Sequence, residues 1–129
     1  MAKFGWVPKS FLVEPKNFNQ FKEVAWQADR PGAAGGQRAP LTDRQRDQLQ
    51  AAQWQHLVCY FVRDAAQWRG VTIDQLAQET RMGRDQFWRL MRGDGPMRLE
   101  DFAAMKRALG IKFDVVSDEQ SRGGTDAEP

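Results

Sequence analysis

The chain has 129 residues, 28% of them charged and 41% apolar, with a formal net charge of +2, enough for one small domain with extensions. Its single cysteine and single histidine exclude an internal disulfide and a zinc cluster built from the usual ligands. No apolar run approaches the roughly 18 residues of a membrane span, and Gly5 and Pro8 interrupt the N-terminal stretch, so a cytoplasmic protein is expected.

Residues 1–28 are rich in aromatics: Phe4, Trp6, Phe11, Phe18, Phe21 and Trp26. Asn17 is a suitable N-cap, and Phe18, Phe21, Val24, Ala25 and Ala28 follow helical spacing, which predicts a short helix from Phe18 to Ala28. So many aromatics argue against a disordered arm; they are expected either to cover the rest of the domain or to dock onto a protein partner. The next eleven residues, RPGAAGGQRAP at 30–40, hold two prolines and three glycines and read as a linker or long loop.

A long helix is predicted after it. Thr42 and Gln45 have capping-box spacing, and no glycine or proline follows until Gly70, so the helix runs from Asp43 to Trp68. Its first half is polar and its second heavily apolar. Leu57, Phe61, Ala65 and Trp68 recur at three- and four-residue steps and predict the inward face; Trp54 is expected in the core as well. His56 on this helix reads as a satisfied, partly buried histidine, and Cys59 as a packing residue.

From Gly70 the boundary signals crowd together. Thr72 with Gln75 is a second capping box, opening a two-turn helix that ends near Thr80 and buries Leu76 and Ala77. After a short turn at Arg81 and Met82, Gly83 caps a helix from Arg84 to Arg92. On a wheel of about 100° per residue, Arg84, Asp85, Trp88, Arg89 and Arg92 share one arc, and Phe87, Leu90 and Met91 fall outside it. One side is suited to packing and the other to an anionic surface.

GDGP at 93–96 is a turn, because glycine permits positive φ and Pro96 cannot continue a helix. A last helix is predicted from Leu99 to Leu109, burying Leu99, Phe102, Ala103 and Leu109, with Gly110 ending it. IKFDVV, residues 111–116, alternates as a half-buried strand does. Residues 117–129 have no large apolar group and are expected to be disordered.

Charge follows the same division. Residues 1–40 carry six cations and three anions, residues 117–129 one cation and four anions, and the span Arg81–Arg98 five arginines against two aspartates. A local basic patch of this kind matters more for an electrostatic footprint than the near-neutral total.

The stretch from Gly70 to Ile111 resembles the helix-turn-helix domain of lambda-repressor-like, Xre-type DNA-binding regulators. The likeness rests on the opening GVTIDQLA, the turn at Arg81 and Met82, the apolar Phe87 and Leu90, the RG at Arg92 and Gly93, and the closing LEDFAAMKRALGI. With the preceding helix it covers roughly Trp54 to Ile111. The chain departs from the family pattern at Ile73, commonly polar; at Arg81, usually the glycine of the tight turn; and at Gly83 and Arg98, usually hydroxyl caps.

The resemblance implies an all-α, lambda-repressor-like helix-turn-helix bundle, here with an aromatic N-terminal extension (1–40), a DNA-binding unit with a long first helix and a terminal β-strand (41–116), and an acidic tail (117–129). It implies that Arg84 to Arg92 is the recognition helix, lying in the major groove. Arg84, Asp85 and Arg89 become the base readers, since arginine can fork onto guanine and aspartate can accept from cytosine. Trp88 has two readings, contact with a thymine methyl or sugar, or packing over a neighbouring helix. Thr72, at a helix N-terminus, matches the family's phosphate-contacting position. Arg81, Arg92 and Arg98 are expected as phosphate contacts, and Gly83 and Gln86 complete the set of positions at the DNA.

Certain antitoxin repressors of this family end in a strand that pairs two copies, so Ile111–Val116 implies a homodimer on a palindromic site. The other possibility is pairing within the chain against Ser10–Glu14. No phosphate loop, HExxH, GxSxG or paired-carboxylate pattern is present, so neither catalysis nor a cofactor is expected. A dimeric transcriptional repressor is the first reading. A protein-interaction or antitoxin-type module, holding a protein partner through residues 1–28, is the alternative.

Overall fold

The computed structural model describes residues 6–27 and 41–110. Among them are four α-helices and no strand: α1 (Asp43–Arg69), α2 (Ile73–Thr80), α3 (Arg84–Met91) and α4 (Leu99–Leu109). The segments 30–40, 111–116 and 117–129, with the loop, strand and tail expected there, lie outside the described residues.

Local chemistry sets the helix ends. At Thr42 the hydroxyl accepts from the Gln45 N–H at 3.1 Å and the Gln45 side chain accepts from the Thr42 N–H at 2.9 Å. The same reciprocal pair recurs at Thr72 and Gln75, at 3.0 and 2.7 Å. Each box satisfies two donors that a helix N-terminus otherwise leaves open. Gly70 and Gly110 close α1 and α4 in left-handed conformation, φ 68 and 70. α4 opens without a hydroxyl cap; instead the Asp101 carboxylate accepts from the Arg98 N–H at 2.9 Å.

The N-terminal segment departs from its expected form. In place of a helix over Phe18 to Ala28, the chain makes two 3₁₀ turns, Pro8–Phe11 and Pro15–Asn17, and then runs irregularly to Trp26. Tertiary hydrogen bonds override helical spacing here. Asn19 sits at φ 61 with its N–H on His56 Nδ1 at 2.9 Å, a conformation no α-helix admits. Ser10–Glu14 forms no strand; one isolated bridge joins Leu12 to Trp26. Leu12, Phe18 and Trp26 are buried in the same core as the helices.

α1 is turned about its axis relative to expectation. The inward residues are Ala52, Gln55, His56, Val58, Cys59, Val62 and Ala66. Leu57, Phe61 and Ala65 are half-buried, whereas Trp54 is 56% and Trp68 85% exposed, so neither tryptophan is core. Small side chains at Ala52, Cys59 and Ala66 let neighbouring elements approach closely. Gln55 and His56 supply hydrogen bonds that buried loop backbone requires. α4 differs in a similar way: Met105 and Leu109 are buried and Phe102 half-buried, but Leu99 is 85% exposed and Ala103 is also exposed. Leu99 stands at the first helical position, before the helix reaches the core, where Asp101 rather than Leu99 turns inward.

Candidate nucleic-acid interface

α2 and α3 pack through opposed apolar faces. Leu76 and Ala77 on α2 meet the common core, as do Phe87, Leu90 and Met91 on α3, each of the last three fully buried. Burying a side chain of this size stabilises by about 1.5–3 kcal/mol, so the outer face of α3 is free to carry polar residues. Between the helices Arg81 takes the left-handed conformation, φ 67, that favours glycine. Thr80 steadies this turn, its hydroxyl donating to the Ala77 carbonyl at 2.6 Å and accepting from the Met82 N–H at 3.3 Å. Gly83 then caps α3 with no side chain to offer.

The C-terminal end of α3 is held by polar contacts from two other elements. Gln55 of α1, 1% exposed, donates to the carbonyls of Leu90 and Gly95 at 2.9 and 3.0 Å and accepts from the Met97 N–H at 2.8 Å. Asn19 of the N-terminal segment donates to the Met91 carbonyl. The Met91 carbonyl, open at the helix end, is thereby paired inside the core, and the Leu90 carbonyl, which also accepts from the Gly93 N–H at 3.1 Å, gains a further partner. Gly93, at φ 73, admits the Phe18 ring so closely that an added Cβ would stand 2.9 Å from it. His56 braces the same region: Nδ1 accepts from Asn19, so Nε2 carries the proton and donates to the Phe21 carbonyl at 2.8 Å. Burial pushes its pKa down, against the carbonyl contacts to Lys22 and Phe21, which push it up.

On the outward side of α3, Arg84, Asp85 and Arg89 are exposed, and Gln86 and Trp88 are half-buried. Asp74, in the first turn of α2, joins two of them. Its carboxylate accepts from the Trp88 indole N–H at 2.8 Å and faces the Arg84 guanidinium at 3.4 Å. These contacts, the Trp88 hydrogen bond first, hold its pKa below the usual carboxylate value. Trp88 therefore lies across α2 with its polar edge engaged and its ring partly open. Sequence spacing did not single out Asp74, which stands ten residues before Arg84 on another helix. The only local signal was an acid in a first helical turn.

The other sequence-predicted residues divide by position. Thr72 is exposed two residues before Asp74, its hydroxyl engaged by the Gln75 N–H. Arg81 and Gly83 are exposed at the turn into α3. Arg89 lies over Gly95, where an added Cβ would meet the guanidinium carbon at 2.5 Å. Arg92 is paired with Asp94 at 2.9 Å, and Arg98 with Glu100 at 3.2 Å and Asp101 at 3.7 Å. Among the described residues Arg81 and Arg89 make no ion pair, so their charge is uncompensated. The structure thus gathers Arg84, Asp85, Trp88 and Arg89 on one helix face flanked by Arg81 and Thr72, while Arg92 and Arg98 sit at the far end of α3 with carboxylate partners.

Residues 61–117 match the model of a family described as a helix-turn-helix domain, one of the lambda-repressor-like, Xre type. The match spans under half of the chain and contains α2, α3 and α4. No curated protein and no solved structure matches the chain. No described helix is long and apolar enough to cross a membrane.

Proposed function

We propose, from the premise that residues 61–117 are a helix-turn-helix domain of the lambda-repressor-like, Xre type, that this protein is a sequence-specific DNA-binding regulator rather than an enzyme. The observation that carries the reading is the division of α3: Phe87, Leu90 and Met91 fully buried, Arg84, Asp85 and Arg89 exposed on the other side. Such a helix suits the major groove, with its first residues nearest the base edges. Arg84 and Arg89 are the guanine readers and Asp85 the cytosine reader. Trp88 lies on the same face and Gln86 at its edge, accepting from the Arg89 guanidinium at 3.4 Å, and Thr72, Arg81 and Gly83 meet phosphate at the adjoining helix ends. Arg92 and Arg98 reach phosphate only by leaving Asp94, Glu100 and Asp101.

In this reading residues 41–116 form the DNA-binding unit, residues 1–40 its extension and residues 117–129 an acidic tail. The protein acts in the cytoplasm as a dimeric repressor on a palindromic operator, and Ile111–Val116 is the segment offered for joining two copies. The alternative, capture of a protein partner by aromatics in residues 1–28, has less support. Of the aromatics described there, Phe18 and Trp26 are buried, Trp6 and Phe11 half-buried, and only Phe21 is exposed, at 59%.

Selection of bound sequences from a random duplex pool, followed by affinity measurements across salt concentrations, tests the function. The expected result is a selected site bound at least about a thousandfold more tightly than random DNA, with a steep salt dependence. Arg84→Ala and Arg89→Ala should each weaken the selected site by about 5- to 150-fold, the equivalent of roughly 1–3 kcal/mol per guanine contact. Unchanged affinity in both variants would remove α3 as the recognition helix.

A further inference from the structure

Arg84 and Arg89 carry the same charge on the same helix, yet their surroundings differ. The Arg84 guanidinium donates through Nη2 to Oδ2 of Asp74 at 3.4 Å. Arg89 donates instead to the Gln86 side-chain oxygen at 3.4 Å and has no carboxylate partner among the described residues. A long side chain loses conformational freedom when it binds, and a partner that holds it beforehand removes part of that loss.

Asp74 is itself held. Its other oxygen, Oδ1, accepts from the Trp88 indole N–H at 2.8 Å. Trp88 packs against the core, its ring edge-on to the fully buried Phe87 with centroids 6.0 Å apart. Asp74 also stands in the first turn of α2, where the helix dipole favours an anion. Arg84 and Trp88 are four residues apart and so are neighbours on one face of α3. The carboxylate thus ties an indole seated on the core to an exposed guanidinium, one oxygen for each.

This pairing is compatible with reading a base. A guanidinium has five N–H donors, of which a guanine fork takes two, so one can remain on Asp74. The carboxylate also repels phosphate, and it therefore disfavours any docking in which Arg84 serves only as a counter-charge.

On the reading of α3 as the recognition helix, we propose that Asp74 is a positioning residue for base recognition. It holds the Arg84 guanidinium ready for guanine and away from phosphate, raising specificity while lowering sequence-independent affinity.

The test uses the full chain on the selected duplex, on its single-base variants and on random duplex. Arg84→Ala and Arg89→Ala first identify, by the base preference each one loses, which position each residue reads. Asp74→Asn keeps an acceptor for the Trp88 indole and removes the charge facing Arg84. It should lower base preference at the Arg84 position about 5- to 10-fold, a part of the roughly 5- to 150-fold that a guanine contact supplies. The Arg89 position should be unchanged, binding to random duplex unchanged or tighter, and helical circular dichroism retained. In the Arg84→Ala background Asp74→Asn should alter base preference no further, because the two residues act as one unit.

An equal loss on selected and random duplex overturns the proposal, since that signifies a merely structural role. So does an unchanged preference at the Arg84 position, or a loss that persists in the Arg84→Ala background, which makes Asp74 a base reader itself. Failure of the recognition-helix reading is seen separately, as unchanged affinity in both Arg84→Ala and Arg89→Ala, and overturns both.

Discussion

The α2–α3 unit and α1 obey opposite rules of burial. In α2 and α3 apolar residues turn inward and charges outward, and the helical wheel alone predicts which is which. In α1 the wheel's best apolar stripe is the outer one, while Gln55 and His56, each 1% exposed, are turned into the core. The difference comes from what each element has to pack against. α2 and α3 meet other helices, whose backbone is already hydrogen-bonded. α1 meets the irregular chain at Asn19–Lys22 and the turn around Gly95, whose buried N–H and C=O groups have to find partners. A side chain with both a donor and an acceptor is the economical solution, and Gln55 uses both.

The contrast makes definite predictions about stability. Phe87→Ala should cost the most, about 3–5 kcal/mol, as a large side chain leaves a cavity that the core closes only in part; urea unfolding measures it. If Gln55 is as much an anchor as the apolar residues, Gln55→Leu should approach that cost. It strands the Gly95 carbonyl and the Met97 N–H, at about 1–3 kcal/mol for each, while the Leu90 carbonyl keeps the Gly93 N–H. A loss below about 1 kcal/mol would break the comparison and make Gln55 incidental.

His56 extends the comparison to pH. Because burial holds the folded imidazole below its ordinary pKa of 6.5, the unfolded chain takes up a proton first as pH falls. The stability this group contributes is therefore complete above about 6.5 and is lost below it. Melting temperatures recorded from pH 8 down to pH 5.5, about the range over which histidine titrates, should fall over the lower half of that interval. A His56→Gln variant should lose this dependence.

The smallest effects belong to the turn between α2 and α3. Gly83 has open space around its Cβ position and an extended conformation at the helix start, so Gly83→Ser should stabilise by about 0.5–1 kcal/mol, adding a cap and restricting the unfolded chain. Arg81→Gly should gain about 0.5 kcal/mol by relieving the left-handed backbone, and thermal melts distinguish both from wild type. If Arg81 also contacts phosphate, the same change should lower the salt dependence of DNA binding by about one ion.

Much of the candidate site was legible from residue order. The α3 wheel separated Arg84, Asp85 and Arg89 from Phe87 and Leu90 because a short helix against a helical partner leaves only one face for water. Nothing local indicated that Asp74 would bond the Trp88 indole and face Arg84, since that contact joins two helices across a turn. The same holds for Asn19, whose residue type suits a cap or turn and whose actual partners stand 37 and 72 residues away.

Helix boundaries at Thr42, Gly70, Thr72, Gly83 and Gly110 follow from chemistry confined to a few neighbouring residues, which is why they can be placed without coordinates. The direction α1 faces cannot, because Leu57, Phe61 and Trp68 are equally apolar wherever they point. It was the need to satisfy the backbone at Leu90, Gly95 and Phe21 that drew Gln55 and His56 inward and turned the tryptophans out.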